Sequence, residues 1–326
     1  MTTLVTGGAG YIGSHTVLEL ANAGENVVVL DNLSTGFPFL LPPEVPLVVG
    51  STGDRELVSR VICEHGVDAI IHFAASIVVP ESVRDPLGYY RNNTLNTCNL
   101  IDIAIANGVN HAIFSSTAAV YGNAERVPVC EDDATLPISP YGRSKLMSEI
   151  MLRDAAFAHR LRYVALRYFN VAGADPHGRT GQTTPRATHL IKAACEAAVG
   201  KRPNIDVFGT DYQTPDGTGI RDYIHVSDLA SAHWAALGYL RAGGMSATFN
   251  CGYGRGTSVM QVIGAVKRVS GVEFPVVLGQ RREGDPAVLV ADVSRIRGTL
   301  PWTPKFQDLD TIVTHALEWE RRLSQV

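Results

Sequence analysis

A tyrosine and a lysine, Tyr141 and Lys145, have the types and spacing of an acid–base pair. Residues four positions apart lie on one face of a helix, so the lysine ammonium can approach the phenol. A nearby positive charge lowers the pKa of a phenol, which would let Tyr141 act as a base near neutral pH. Thr117 ends an apolar run and supplies a hydroxyl that could orient the same substrate hydroxyl. These three side chains are the predicted catalytic group.

A glycine-rich turn lies near the start of the chain, between a strand-like run and an amphipathic helix. Gly7, Gly10 and Gly13 follow G-x-x-G-x-x-G, slightly looser than the commonest dinucleotide fingerprint. Small residues let the backbone approach a pyrophosphate, whose charge then meets the helix N-terminus. The next predicted strand ends in Asp31, followed by Asn32; a carboxylate there can accept hydrogen bonds from ribose hydroxyls and repel a 2′-phosphate. The sequence therefore predicts NAD rather than NADP. The positive charge of its nicotinamide would act together with the Lys145 ammonium in lowering the pKa of Tyr141.

Short apolar runs alternate with helical patterns through the first half of the chain. The runs are almost continuously apolar, as expected for strands buried on both faces of a parallel sheet. Strands are predicted at 3–6, 26–31, 47–49, 69–74, 112–115 and 164–168. Helices are predicted at 12–23, 54–64, 86–107 and 141–159. This alternation predicts an α/β fold with a doubly wound parallel sheet of the Rossmann type.

The pattern changes after about residue 170, where glycine, proline and threonine gather in 174–185 and 209–219. Later helical patterns lie at 186–199, 226–240, 258–270 and 309–323. We therefore expect residues 1–170 to form an NAD-binding Rossmann domain. Residues 171–326 are expected to form a smaller mixed α/β substrate-binding lobe, with some segments returning to the first domain.

Composition and charge limit the possible functions. The 326 residues are 45% hydrophobic and 18% charged, which is typical of a folded globular protein. A net charge of −4 without a long run of like charge argues against a nucleic-acid partner. The apolar runs are too short to span a membrane, and the chain opens on a strand-like run rather than a signal peptide. Five cysteines without a C-x-x-C pair favour free thiols, no metal site and a cytoplasmic location.

Further motifs accompany the glycine turn and the Tyr141–Lys145 pair. They lie at 72–74, 89–93, 139–145, 167–170, 216–226 and 281–285. With them the chain resembles the extended short-chain dehydrogenase/reductase family over nearly its whole length. It is most similar to the UDP-glucose 4-epimerase subgroup, and the last two stretches are the most specific to it.

The resemblance implies NAD-dependent interconversion of UDP-galactose and UDP-glucose. Tyr141 would remove the proton of the sugar 4-hydroxyl while C4 passes a hydride to tightly held NAD⁺. The 4-keto sugar would rotate about its link to the diphosphate, and hydride would return to its opposite face. The resemblance also implies a homodimer formed through the helices predicted at 86–107 and 141–159.

The resemblance further assigns contacts position by position. Cofactor contacts are implied for Gly7, Gly10, Tyr11, Ile12, Gly13, Asp31, Asn32, Ser51, Thr52, Phe73, Ala74, Ala75, Asn92, Lys145 and Phe169. Substrate contacts are implied for Thr117, Tyr141, Asn170, His189, Leu190, Phe208, Arg221, Arg282, Asp285 and Leu289. The arginines also suit a diphosphate on physical grounds, because guanidinium is a planar, multi-donor cation that stays charged.

Several positions depart from the family pattern. Ser51 replaces an aspartate near the adenine, Ile77 a cofactor-facing lysine, and Thr117 a serine. His189 follows Thr188 where relatives carry two asparagines, and a surface role suits it about as well as a substrate contact. Leu289, intermediate in size, lies at the position expected to limit the sugar. It favours UDP-glucose and UDP-galactose, with weak turnover of their N-acetyl forms.

The same residues bear on rival functions. UDP-N-acetylglucosamine and UDP-glucuronate stay open as substrates of an epimerase, and a decarboxylase stays open as a related enzyme. A sugar-nucleotide dehydratase needs an acidic pair directly after the strand-end hydroxyl, where this chain has Ala118 and Ala119. A non-catalytic NAD sensor could dispense with Tyr141, Lys145 and Thr117, and all three are present.

Overall fold

The computed structural model describes residues 1–185, 188–282 and 285–324. Its strands are β1 (Thr2–Thr6), β2 (Asn26–Asp31), β3 (Leu47–Val49), β4 (Val67–His72), β5 (His111–Thr117), β6 (Arg162–Tyr168), β7 (Asn170–Ala172), β8 (Ile205–Phe208), β9 (Ile220–His225), β10 (Ala247–Cys251), β11 (Gly256–Ser258), β12 (Val276–Gly279) and β13 (Val288–Leu289). Its α-helices are α1 (Tyr11–Asn22), α2 (Arg55–His65), α3 (Val79–Arg84), α4 (Pro86–Tyr89), α5 (Asn96–Ala106), α6 (Pro140–Ala158), α7 (Leu190–Ala198), α8 (Val226–Arg241), α9 (Val259–Ser270), α10 (Ser294–Thr299) and α11 (Leu309–Leu323).

A seven-stranded parallel sheet forms the centre of the molecule, in the order β10-β6-β5-β4-β1-β2-β3. The chain builds outward from β1 in one direction through β2 and β3, and in the other from β4 through β5 and β6. The order therefore reverses between β1 and β4, and ligands of such sheets bind outside the carboxyl ends of the strands at this point. The predicted Rossmann-type fold is confirmed.

The predicted elements of the first half are present, with shifted ends. Strand β5 continues to Thr117, so the predicted catalytic hydroxyl is the last residue of a strand. Strand β4 ends at His72, so Phe73, Ala74 and Ala75 lie in the loop that follows it. These shifts place polar or small residues at the carboxyl edge of the sheet.

The predicted helix 86–107 is interrupted, which corrects the sequence-based expectation. Tyr90–Leu95 is a π-helical turn between α4 and α5. Its buried Asn93 donates from Nδ2 to the Ser76 carbonyl (2.9 Å) and to Ser144 Oγ (3.0 Å). A π turn widens the helix by one residue, and such turns often occur at functional sites. Here the amide ties this helix both to the loop after β4 and to α6.

The second half adds to the central sheet and also forms sheets of its own. Strand β10 joins the edge of the central sheet beside β6, and α8 packs against α1. A small sheet has the order β11-β9-β13 with β7 also on β9, and β8 pairs with β12. The sequence patterns did not predict these short strands, which lie among glycine- and proline-rich segments. The first two residues of the predicted helix 186–199 lie outside the described residues.

Two caps fix the ends of the helices that matter most for the site. Ser139 Oγ accepts from Gly142 N (3.2 Å) and Pro140 occupies the first turn, so α6 begins just before Tyr141. Asp54 accepts from Leu57 N (3.0 Å) at the start of α2. Within the described ranges, no helix is both long and apolar enough to cross a membrane.

Candidate active site

The structure brings Tyr141, Lys145 and Thr117 together where α6 begins and β5 ends. All three side chains are buried, and the Thr117 hydroxyl hydrogen-bonds the Tyr141 phenol. Lys145 Nζ donates to the Ser115 carbonyl (2.8 Å) and lies 4.9 Å from the centroid of the Phe114 ring. The group has the arrangement needed to move a proton at a hydroxyl placed between Tyr141 and Thr117.

Burial dominates the electrostatics of this group in the protein by itself. Burial raises the pKa of Tyr141 to about 12, against a lowering by the hydrogen bond from Thr117. Burial also lowers the pKa of Lys145 to about 7, opposed by the negative charge of Glu149. Among the described residues, Thr117 rather than Lys145 is the group that lowers the phenol pKa. In the protein by itself burial dominates, and Lys145 Nζ is directed to Ser115. The lowering of the Tyr141 pKa by the ammonium together with a bound nicotinamide stays a prediction.

The glycine turn makes a close backbone approach that larger residues would block. A Cβ on Gly7, whose φ is +71°, would lie 2.6 Å from Ala74 N, and one on Gly13 would lie 2.2 Å from the Gly7 carbonyl oxygen. Gly10 precedes α1, and no side chain in the described residues caps that helix. The first amide groups of α1 are thus left for an anion, and the small residues keep a channel to them. The turn fits the pyrophosphate of a dinucleotide.

The carboxylate of Asp31 secures this turn at the end of β2. It accepts from Ala9 N (3.0 Å) and from Leu33 N (2.8 Å), and it is buried. A carboxylate has about four lone-pair positions, so it can still accept from ribose hydroxyls. The predicted NAD preference is consistent with this placement, since a phosphate beside Asp31 would meet its negative charge.

Most predicted cofactor residues lie in the loops at the carboxyl ends of the parallel strands. These are Asp31 and Asn32 after β2, Ser51 and Thr52 after β3, Phe73, Ala74 and Ala75 after β4, and Phe169 after β6. Tyr11 and Ile12 open α1, and the Tyr11 hydroxyl donates to the Gly173 carbonyl (2.7 Å). Asn92 lies in the π turn, and its Nδ2 donates to Ser76 Oγ (3.0 Å). The structure thus collects the set along one edge of the sheet.

Two of the departures have visible local roles. Ser51 Oγ accepts from Gly53 N (3.1 Å), so this hydroxyl shapes the turn before α2. Ile77 is 51% exposed in the loop after β4. The polar contacts of that loop come instead from Ser76, whose N donates to Asn93 Oδ1 (2.8 Å).

The predicted substrate residues gather in the second half of the chain. Arg221 on β9 forms an ion pair with Asp285. Leu289 on β13 lies opposite Arg221 on the neighbouring strand. Arg282 lies over the ring of Phe208, 3.9 Å from its centroid. Asp285 N donates to the Arg282 carbonyl (3.3 Å), which joins the two parts into one basic and aromatic cluster. Residues 283 and 284 of the motif lie outside the described residues.

Three further predicted residues are positioned by the start of β7 and α7. Asn170 is the first residue of β7, and Leu190 is the first residue of α7. His189 precedes α7 and is half-buried, with Nδ1 2.6 Å from Gln182 Nε2. Burial lowers its pKa, followed by the charge of Lys192, so His189 is neutral at pH 7.

Sequence reasoning missed residues that hold the predicted ones in place. Arg281 Nε donates to Asp211 Oδ1 (2.7 Å), and its guanidinium lies 4.3 Å from the centroid of the Tyr212 ring. The Tyr212 hydroxyl donates to the Asp285 carbonyl (3.3 Å), so the segment 209–219 closes on the arginine motif. These residues are recognised only from the proximity of the two motifs in the fold, which their positions along the sequence do not reveal.

Comparison with known proteins gives a consistent result. The NAD dependent epimerase/dehydratase family matches residues 3–252. A UDP-glucose 4-epimerase from Azospirillum brasilense is 60% identical over 322 residues, 99% of this chain and 92% of that protein. The crystal structure of UDP-glucose 4-epimerase from Brucella ovis in complex with NAD is 45% identical, with a TM-score of 0.94 and 97% of each chain covered.

A third relative carries a broader description. The UDP-Glc/GlcNAc 4-epimerase from Campylobacter jejuni is 49% identical, with a TM-score of 0.87, covering 98% of this chain and 99% of that one. The family resemblance predicted from the motifs is confirmed. This chain therefore belongs to the NAD dependent epimerase/dehydratase family, among the UDP-glucose 4-epimerases.

Proposed function

We propose that this chain interconverts UDP-galactose and UDP-glucose, with NAD as a resident cofactor. The observation that carries the proposal is the buried Tyr141–Thr117 hydrogen bond beside Lys145. It lies at the same sheet edge as the glycine turn after β1. The NAD-bound relative from Brucella ovis and the epimerase from Azospirillum brasilense support the cofactor and the substrates.

The chain's own residues account for holding the cofactor. The glycine turn and the first amides of α1 would hold its pyrophosphate, and Asp31 would accept from a ribose hydroxyl. Bound NAD supplies a reversible acceptor for the hydride of the sugar C4 and a positive charge near the phenol. Lys145, fixed at the Ser115 carbonyl, adds a second cation on the same side.

Proton transfer falls to Tyr141. Its phenolate oxygen takes the proton of the 4-hydroxyl as that carbon is oxidised, and returns a proton to the same oxygen after the sugar has turned. Thr117 hydrogen-bonds the reacting oxygen and keeps it in line with Tyr141. Because C4 regains its hydride, the reaction has no net redox change, and because the proton is returned, Tyr141 is regenerated in each turnover.

The arginine cluster holds the part of the substrate that does not react. Arg221, oriented by Asp285, and Arg282, stacked on Phe208, present guanidinium groups suited to a diphosphate. Fixing the diphosphate while leaving the hexose unclamped allows the keto sugar to rotate about the linking bond. Both faces of C4 are then presented to one acid–base group.

A second substrate pair is favoured by one specific observation. The relative from Campylobacter jejuni is described as a UDP-Glc/GlcNAc 4-epimerase, at 49% identity. We propose that Leu289, half-buried beside Arg221, limits the sugar, so that the N-acetyl pair is turned over weakly. Leucine is smaller than tyrosine but still fills space that an acetamido group needs.

The first experiment tests substrate and base together. Purified protein is incubated with UDP-galactose without added NAD, beside a Tyr141→Phe variant, and UDP-glucose is quantified. We expect conversion by the natural chain and a loss of about a thousandfold or more in the variant, since general acid–base catalysis contributes about 10²–10⁴. Silence of the natural chain even with NAD supplied would refute the substrate assignment. Equal turnover by both proteins would refute the role of Tyr141.

We also infer that the chain works as a homodimer in the cytoplasm. Apolar side chains lie exposed along the α4–α5 segment and α6, among them Leu87, Leu95, Met147 and Phe157. Pairing these helices with those of a second copy would bury the apolar residues in a four-helix contact. All five cysteines lie in described segments as free thiols, which suits a reducing compartment.

A further inference from the structure

A buried ion pair lies directly behind the acid–base group. Arg167 on β6 donates two hydrogen bonds to the Glu149 carboxylate from one edge of its guanidinium: Nε to Oε1 (3.0 Å) and Nη2 to Oε2 (2.6 Å). Both side chains are buried, at 6% exposure each. Glu149 lies one helical turn after Lys145 on α6, and therefore on the same face.

The carboxylate of Glu149 also joins α6 to the strand that carries Thr117. The Ser116 hydroxyl, fully buried, donates to Glu149 Oε1. Ser116 stands between Ser115, whose carbonyl holds Lys145, and Thr117, which bonds Tyr141. One carboxylate is thus linked to the short stretch of β5 that positions both catalytic groups.

The guanidinium of Arg167 extends the network to two further elements. Its Nη1 donates to the Tyr121 hydroxyl (3.0 Å) and to the Glu131 carbonyl (3.2 Å). The Tyr121 hydroxyl in turn donates to Asn250 Oδ1 on β10 (2.6 Å). The network therefore spans α6, β5, β6 and β10, with its centre at Glu149.

Stability alone is a weak explanation for such a pair. Taking two charges out of water costs several kcal/mol, and well-packed apolar replacements of buried pairs are often neutral or stabilising. A buried carboxylate one turn from a catalytic lysine has a second effect, since it favours the charged form of that lysine. Glu149 is not among the predicted catalytic, cofactor-binding or substrate-binding residues, so its carboxylate has no assigned role in the reaction.

We propose that Glu149, anchored by Arg167 and Ser116, is a positioning residue that holds α6 in register with β5 and sets the electric field at Lys145. The inference deepens the proposed function and rests on it for its catalytic meaning. The effect of Glu149 on Lys145 can be measured without turnover, because both residues belong to this chain.

The groups that could titrate near the catalytic pair limit what a pH measurement reports. They are His72 from β4, Tyr89 from α4, Tyr168 from β6 and Tyr141 from α6. Burial first, and then the charge of Lys145, lowers the pKa of His72 to about 3. Burial raises the pKa values of Tyr89 and Tyr168 well above the ordinary value. Among the described residues, none of these neighbours titrates between pH 5 and 9. A titration observed at Lys145 in that range therefore reports Lys145 itself.

Lysine Cε NMR on ¹³C-lysine-labelled protein gives the direct test, with Lys145 assigned by its absence in Lys145→Met. Glu149→Gln removes one negative charge, which favours the deprotonated forms of its neighbours. We expect the Lys145 titration midpoint, near pH 7 in the natural chain, to fall by about one pH unit or more. An unchanged midpoint would overturn the proposal.

A matched control distinguishes the effect of the Glu149 charge on Lys145 from a general loss of stability. Glu320→Gln disrupts another buried ion pair, that of Lys192 and Glu320 between α7 and α11. We expect it to lower Tm and leave the Lys145 midpoint unmoved, whereas Glu149→Asp keeps the charge and a midpoint close to the natural one. If Glu149→Gln does not fold, Glu149→Gln/Arg167→Met leaves neither charge unpaired. Its midpoint should still fall, by less than in Glu149→Gln, because a positive charge is lost together with the carboxylate that acts on Lys145.

The kinetic counterpart is the pH profile of kcat with UDP-galactose. Glu149→Gln should move the limb of the profile that reports Lys145 to lower pH by about one unit, because Lys145 loses its negative neighbour. Glu320→Gln should leave the profile in place. A silent natural enzyme would refute the proposed function, while the NMR midpoints would still decide the role of Glu149.

Discussion

At Tyr141, two physical effects act against each other on one phenol. A pKa near 12 leaves the phenolate about 10⁵ times rarer than the phenol at pH 7. The hydrogen bond from Thr117 recovers part of the loss due to burial. A base at this position therefore needs positive charge brought close to it when the site is loaded. Such a residue would be a poor base in the empty protein and a competent one only with its ligands in place.

The charge of Lys145 is poised close to physiological pH. Its pKa of about 7 is lowered by burial, so the ammonium predominates below pH 7 and is lost as the pH rises through it. Because the unfolded value is higher, folding is disfavoured by this group between the folded and unfolded pKa values and at lower pH. A bound anion near Lys145 would raise its pKa and oppose the loss.

Sugar discrimination is argued at a single residue, Leu289. Leu289→Ala should raise kcat/KM for UDP-N-acetylglucosamine by about tenfold, because removing apolar bulk from a pocket is worth a factor of about 10–200. Kinetics of both substrate pairs on one preparation measure the effect. Val288→Ala is the control, since adjacent strand residues point to opposite faces. If the natural chain ran the N-acetyl pair as fast as the plain pair, Leu289 would not limit the sugar.

At the level of elements, the turn between β1 and α1 needs residues without side chains, because its backbone segments approach each other closely. Gly13→Ala would bring a Cβ to 2.2 Å from the Gly7 carbonyl oxygen, and backbone atoms cannot move aside as a side chain can. We expect overpacking of about 1–3 kcal/mol and a severalfold loss of retained NAD. The measurement is NAD released per protomer on denaturation, together with Tm.

A second helical glycine provides the control for that prediction. Gly238 lies within α8, and a Cβ added to it would have no atom of the described residues within 4 Å. Gly238→Ala should keep the NAD content and match or exceed the natural Tm, since alanine is favoured over glycine in helices. Equal NAD retention by the two variants would show that the close approach at Gly13 is not needed.

For the whole molecule, the exposed apolar residues of the α4–α5 segment and α6 are the feature that a monomer does not explain. Leu95 and Phe157 are 54% and 95% exposed. Leu95→Glu should shift the protein from dimer to monomer in sedimentation velocity, because a charge would be buried without a partner. Met245→Glu, at a residue 72% exposed after α8, should stay dimeric. A natural chain that sediments as a monomer at micromolar concentration would refute the interface.

The sequence by itself determined the local features of this protein. Strand periods, the helix start at Ser139–Pro140, the glycine turn and the pair Tyr141–Lys145 all depend on neighbours within a few residues. Backbone propensities and spacing act at that range, so the alternation of elements and the fold class could be predicted. The motifs also named the arginine and leucine positions, although their roles rest on resemblance and stay predictions.

Only the tertiary structure decided what depends on distant contacts. It placed Thr117 against Tyr141, joined Arg221 to Asp285 across 64 positions, and put Glu149 between Arg167 and Ser116. It also set the pKa of the Tyr141 phenol in the protein by itself, which burial raises. Desolvation depends on every atom packed around a group, and that packing is a property of the folded chain rather than of any short stretch of residues.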